Sequence, residues 1–202
     1  ATLAADFVVN ATASGFKINY VEVGNENYGK WEVPYPDHPE VVNATAYAQT
    51  CVAVTKAIKA VNPSVIVGCV GDLPESGSSV PFPDWNKQVL SLAEESMDFL
   101  IIHEYYNKKG KPRDPWSMLN YDCLDEKGPN CGPLAVAAAV KAEASGPLPV
   151  MITEWNMVQP YSAPTWELIQ GLFTAKHIGE SMQAGLMGTT FFALANGQQP
   201  DY

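Results

Sequence analysis

The chain has 202 residues, 47% of them apolar and 17% charged, which suits one domain with a sizeable buried core and argues against disorder. Its formal net charge of -10 argues against a nucleic-acid partner, because a phosphate-binding protein needs a basic face. No apolar run is long enough to cross a bilayer, and Ala1–Asn10 lacks the basic, apolar and small-residue order of a signal peptide, so no membrane partner is expected.

In chain order, Leu3–Thr12 reads as a helix and Ile18–Val23 as a strand. Thr45–Val61 is the clearest helix, because Tyr47, Cys51, Val54, Ile58 and Val61 recur at steps of four and three along one face; Asn62 and Pro63 stop it. Ser64–Val70, β-branched with little alternation, reads as a parallel strand buried on both faces. The pattern then repeats: a helix near Asp84–Ser96 marked by Trp85, Val89 and Leu92, the strand Phe99–His103, and a helix Leu134–Ala144 stopped by Gly146 and Pro147. The strand Pro149–Thr153, a helix Thr165–Ala184 and the strand Gly188–Ala195 complete it. One helix followed by five strands separated by four helices specifies an α/β fold with a parallel sheet. The long irregular stretches Asn27–Asn43, Gly71–Pro83 and Asn107–Pro133 all come after the carboxyl end of a strand, the side on which α/β folds build their sites.

Of the four cysteines, Cys123 and Cys131 bracket a turn-rich segment that suits a short disulfide loop, while Cys51 and Cys69 fall on apolar faces and read as free buried thiols. Asn10 and Asn43 each open an Asn-Ala-Thr sequon, which suits a secreted, extracellular protein; Asn43 is also placed to cap a helix. The first residue, Ala1, suggests a processed or trimmed chain.

Two strands run into a carboxylate set among polar and aromatic groups. The first leads into Gly24, Asn25 and Glu26, the second into Glu154, Trp155 and Asn156. Retaining glycosidases need two such carboxyl groups about 5–5.5 Å apart, one to attack the anomeric carbon and one to protonate the leaving oxygen. Either residue alone could simply cap a helix or pair with a surface lysine, and His103 could be a core histidine. A serine esterase would lack its usual Gly-x-Ser-x-Gly elbow, His38, His103 and His177 form no zinc-ligand pattern, and no phosphate-binding glycine loop is present, so no metal and no cofactor is implied. Trp85, Trp166, Asp72 and Asp98 read as structural.

The motifs VEVGNENYGKWE and PVMITEWN resemble the acid/base and nucleophile segments at the ends of the fourth and seventh strands of clan A glycoside hydrolases, which are (β/α)8 barrels. FLIIHEYYN and AYAQTCVAVTKAIKAVNPSVIVG are similar to the sixth strand, and to the helix and fifth strand, of family 51 α-L-arabinofuranosidases. The resemblance implies that Glu26 is the general acid/base and Glu154 the nucleophile of a retaining double displacement. It implies that Asn25 donates to the hydroxyl beside the anomeric carbon and that Tyr105 holds Glu154 ionised and aimed, with His103 lining the pocket. Trp155, Trp31 and Tyr28 are candidates for sugar stacking, and Asn156 joins them as a substrate-binding candidate.

On this resemblance residues 1–202 form a single catalytic domain, a partial (β/α)8 TIM barrel corresponding to strands four to eight. The first three strands and the family's β-sandwich are not found. Open edges at Ile18–Val23 and Gly188–Ala195 would then seek partners, giving a homo-oligomer or pairing with a missing N-terminal fragment. The expected partner is an oligo- or polysaccharide of plant cell-wall type. Its sugar is arabinofuranose first, with endoglucanase or β-xylosidase activity next. A non-catalytic carbohydrate-binding half-barrel and a serine esterase on the same scaffold are the alternatives.

Overall fold

A computed structural model describes residues 1–29, 32, 43–73, 84–106, 119, 132–157 and 168–193. Among the described residues five strands form one parallel sheet in the order β1-β2-β3-β4-β5: β1 (Tyr20–Val23), β2 (Ile66–Val70), β3 (Phe99–Tyr106), β4 (Val150–Met157) and β5 (Gly188–Phe191). Among the described residues helix α1 (Thr2–Ala13) precedes them, and α2 (Ala44–Val61), α3 (Trp85–Ala93), α4 (Pro133–Glu143) and α5 (Leu168–Ala184) lie one in each of the four connections. Each strand lies beside its predecessor with no reversal of order, which is the winding of a (β/α) barrel and not of a doubly wound sheet. The fold is therefore the α/β parallel sheet that the sequence alternation indicates, wound as the partial barrel that the family resemblance implies. No helix among the described residues is long and apolar enough to cross a membrane.

The chain divides into two compact units, Ala1–Ile101 with Lys141–Val150, and Ile102–Val140 with Met151–Tyr202. In the first unit β1 pairs with β2 from Tyr20↔Ile66 to Val23↔Cys69, and β2 pairs with the start of β3 from Gly68↔Phe99 to Val70↔Ile101. Helix α1 turns Ala5 and Val8 inward and ends in a paired C-terminal turn, where Phe16 N–H donates to Ala11 and Gly15 N–H to Thr12, both at 3.0 Å. Gly15 takes φ +88 there, a conformation that costs a glycine little. Asn43 caps α2, its side chain accepting from the Ala46 amide at 2.7 Å.

Helix α2 buries Ala44, Tyr47, Ala48, Cys51, Thr55 and Ile58, so its core stripe ends at Ile58 and leaves the expected Val61 exposed. In α3, Trp85, Val89, Leu90 and Ala93 face inward while Leu92, expected to do so, points to solvent. The largest departure concerns the thiols. Cys51 and Cys69 are bonded to each other, with Cα atoms 6.1 Å apart, and are not free. The buried stripe of α2 lays Cys51 over Cys69 in β2, so the apolar positions that suggested inert thiols are also what brings the two sulfurs together. The Cys123–Cys131 expectation lies outside the described residues.

In the second unit α5 covers β3 and β4. Phe173 and His177 both meet Tyr106 edge-on, Phe173 lies tilted to Trp155 while His177 stacks on it, and β4 pairs with β5 from Met151↔Gly188. The register slips between Ile152 and Trp155: three steps along β4 oppose two along β5. That is a β-bulge at Thr153–Glu154, a feature that re-aims side chains at strand ends.

Candidate active site

In the first unit, β1 runs into the turn that carries Asn25 and Glu26. Gly24 opens it at φ +95, and a Cβ there would collide with Asn27 Oδ1, so only glycine fits. Glu26 itself takes φ +41, an uncommon conformation for a side-chain-bearing residue and one that persists only where the surroundings impose it. The Gly29 amide donates to the Glu26 carbonyl at 2.6 Å and closes the turn. Asn25 is exposed and donates through Nδ2 to Glu32 Oε1 at 3.0 Å, while Glu26 is half-buried.

The platform beneath this turn is aromatic. The Tyr47 hydroxyl donates to the Val23 carbonyl and accepts from the Val70 amide, each at 2.5 Å, and Trp85 Nε1 donates to the Val70 carbonyl at 3.0 Å. Burial pushes the ionisation of Tyr47 far up, so the phenol keeps the proton it donates. The Tyr47 and Trp85 rings lie 5.2 Å apart, and Tyr28 meets Trp85 edge-on at 6.0 Å. Tyr28 is buried in this cluster, so it supports the turn as packing and offers no open face for a sugar. Trp31 lies outside the described residues.

In the second unit, His103 and Tyr105 share one face of β3 by strand alternation, and Glu104 and Tyr106 share the other. Tyr105 donates to Glu154 Oε2 at 2.6 Å, the length of a strong charge-assisted bond. His103 Nδ1 lies 3.6 Å from the same oxygen, an electrostatic contact beyond hydrogen-bond length, and its Nε2 is 3.1 Å from Thr153 Oγ1. The bulge explains how Thr153 and Glu154, adjacent in sequence, both meet residues on the same face of β3. The structure thus brings together His103, Tyr105 and Glu154, with the carboxylate half-buried and held by two side chains.

Trp155 departs from its expected role. It is 1% exposed, and the His177 imidazole covers one of its faces with ring centroids 3.7 Å apart and planes at 8°. It is core packing, with no face left for a sugar to stack upon. Asn156 donates to the Phe192 carbonyl at 2.7 Å and accepts from Gln170 Nε2 at 3.1 Å, so its amide ties β4 to the end of β5 and to α5.

Sequence reasoning misses two ionisable groups behind β3. Glu104, 1% exposed, accepts from the Tyr106 hydroxyl and, at 2.6 Å, from the Gly132 amide at the start of α4. Burial pushes its carboxyl up to about 7, against the pull of those two hydrogen bonds. His177, fully buried, is held down to about 3 by burial and then by Lys176. The signal for Glu104 is present in the sequence, as a carboxylate that alternation sets on the same face as Ile102 and Tyr106, where a charged group needs partners to be buried.

The fold, with polar groups collected at strand ends, defines an α/β barrel segment of the kind that carries sites at its carboxyl edge, and comparison with known proteins narrows this. No protein-family model matches the chain. In sequence it is 30% identical over 88 residues to an intracellular exo-α-(1→5)-L-arabinofuranosidase of Acetivibrio thermocellus, covering 43% of this chain and 16% of that protein. It is 24% identical over 136 residues to intracellular exo-α-(1→5)-L-arabinofuranosidase 1 of Bacillus subtilis, covering 67% of this chain and 25% of the relative. In fold it is similar to the α-L-arabinofuranosidase of Thermotoga maritima, with TM-score 0.61, 22% identity, 86% of this chain and 33% of that one. It is also similar to a family 44 xyloglucanase of Paenibacillus polymyxa, with TM-score 0.69, 14% identity, 96% of this chain and 46% of that one. The chain is thus similar in sequence to part of these arabinofuranosidases and in fold to part of these solved glycosidases, and it spans a quarter or less of the curated relatives it matches.

Proposed function

We propose that the chain carries the catalytic carboxylates of a retaining glycoside hydrolase and that its sugar is an α-L-arabinofuranoside. The observation that carries this reading is the hydrogen bond from Tyr105 to Glu154 at the β4 bulge, 2.6 Å long with His103 alongside. A carboxylate gripped by a phenol stays aimed, which is what a nucleophile toward an anomeric carbon requires. The sugar assignment is supported by the names of both sequence relatives.

In this reading Glu154 attacks the anomeric carbon and forms a glycosyl-enzyme ester while Glu26 gives its proton to the departing oxygen. Water then enters, Glu26 takes one of its protons, and the ester is cleaved with the original anomeric configuration. In the same reading Asn25, at the exposed edge of the turn, exchanges its contact with Glu32 for the neighbouring hydroxyl of the sugar. The Cys51–Cys69 disulfide favours an oxidising compartment.

The experiment is a panel of nitrophenyl glycosides with the wild type, Glu154→Ala and Glu26→Ala, combined with NMR observation of the first-formed anomer. The expected result is arabinofuranoside turnover with retention, falling to background in Glu154→Ala and by about 10²–10⁴-fold in Glu26→Ala. Sugar binding without turnover would leave a carbohydrate-binding module in place of an enzyme, and ester cleavage indifferent to both substitutions would leave an esterase.

A further inference from the structure

We propose that the Tyr47 hydroxyl is the positioning group for Glu26, holding the turn that presents it. The proposal rests on the reading of Glu26 as acid/base. Tyr47 reaches from α2 to the carboxyl ends of two neighbouring strands at once, donating to the Val23 carbonyl of β1 and accepting from the Val70 amide of β2. Both groups stand where the parallel ladder of β1 and β2 stops, at Val23↔Cys69, so the phenol extends the pairing by one link just before Gly24.

Beyond that link lies the least relaxed backbone among the described residues of the unit. Gly24 at φ +95 and Glu26 at φ +41 lie within three residues of each other, and a turn of this kind holds its shape only if its base is fixed. Tyr47 fixes the base in two ways. Its hydroxyl pins Val23, and its ring edge lies 3.2 Å from where a Cβ on Gly24 would stand, which leaves room there for glycine and for nothing larger. The ring in turn rests on Trp85, against which Tyr28 packs from the far end of the same turn. Glu26 is thus held between two residues, Val23 and Tyr28, that both bear on one aromatic pair. Tyr47 does not touch the reacting atoms; it acts through the backbone.

A positioning role of this kind has a signature that loss of stability alone lacks. An acid held out of line costs most where the leaving oxygen needs a proton, and little where the leaving group departs as a stable anion. The test compares the wild type, Tyr47→Phe and Ile58→Val, a buried substitution elsewhere on α2, on phenyl and 2,4-dinitrophenyl glycosides of the sugar that the wild type cleaves. Amide exchange at Gly29, whose N–H closes the Glu26 turn, is followed in all three.

Tyr47→Phe is expected to lose about 10–100-fold in kcat/KM on the phenyl glycoside and less than about 3-fold on the dinitrophenyl one, the size of effect that a misplacement of an ångström brings. Gly29 exchange is expected to speed up, and Ile58→Val to show neither change. Equal losses on both glycosides, or unchanged Gly29 exchange, would overturn the role of Tyr47 while leaving the glycosidase reading intact. Absence of turnover by a folded wild type on every glycoside would overturn the glycosidase reading, and the role with it.

Discussion

Tyr105 is the residue on which the second half of the candidate site turns. Its hydroxyl meets Glu154 at 2.6 Å, while its ring lies edge-on to Phe192 at 6.5 Å and is held independently of that bond. Tyr105→Phe should therefore keep the ring in place and remove a single donor to a carboxylate. Hydrogen bonds to charged groups contribute about 1.5–3 kcal/mol, which corresponds to a fall of roughly 10–150-fold in turnover if that contribution is realised in the transition state over and above the ground state. Measurement of kcat and KM for the variant checks this, and an unchanged kcat would remove Tyr105 from the mechanism. Tyr105 and Glu154 were readable from their motifs. The bulge that turns Glu154 toward Tyr105 was not, because an extra residue in one strand leaves no mark in the pattern of side chains. Nor could the sequence reveal that Trp155 is spent on His177, since the two come from different elements and meet only in the folded chain.

At the level of elements, the fold was legible because hydrophobic period and punctuation agree along the chain. Asn43 caps α2 and Asn62 ends it, and β2 occupies Ile66–Val70, the last five residues of the expected Ser64–Val70 run. The boundaries shifted where tertiary pairing extends a strand past its apolar run: β3 continues through His103 to Tyr106, and β4 through Thr153 to Met157. Those extensions carry the polar residues of the candidate site. The disulfide belongs to this scale as well. Cys51–Cys69 closes a loop of 18 residues between α2 and β2, and a crosslink of this span stabilises by about 3 kcal/mol through the unfolded chain. Reduction, or the double substitution Cys51→Ala with Cys69→Ala, should lower the unfolding free energy by that amount, read from the shift of the urea midpoint; an unchanged midpoint would mean that the sulfurs are not joined in solution. Gly24→Ala tests the turn from β1 to Glu26. Its Cβ would collide with Asn27 Oδ1, and its φ of +95 disfavours any side chain. A loss of about 1–3 kcal/mol is expected, together with a fall in turnover larger than that loss explains, read from activity measured well below the melting temperature.

For the molecule as a whole, two buried groups oppose each other in their response to pH. Glu104 is pushed up from 4.5 to about 7, so the folded chain holds a proton there that the unfolded chain releases above 4.5. Its contribution to stability is complete below pH 4.5 and is lost as pH rises through 7. His177 is held down from 6.5 to about 3, so the unfolded chain takes up a proton below 6.5 that the folded chain refuses. Its contribution is complete above 6.5 and is lost as pH falls toward 3. Between 4.5 and 6.5 the folded chain carries one proton on Glu104 and the unfolded chain one on histidine, so the two slopes cancel and these groups leave stability level. Glu104→Gln removes one side of that balance while an amide oxygen can still accept from Gly132. Its stability should then climb with pH across the same interval by about 1.4 kcal/mol per unit, the slope of one proton. Urea denaturation at half-unit steps from about pH 4.5 to 7 distinguishes the cases. A wild type that climbs as steeply as the variant would show that Glu104 is ionised in the folded chain, and that its tie to Gly132 is a bond to a full charge.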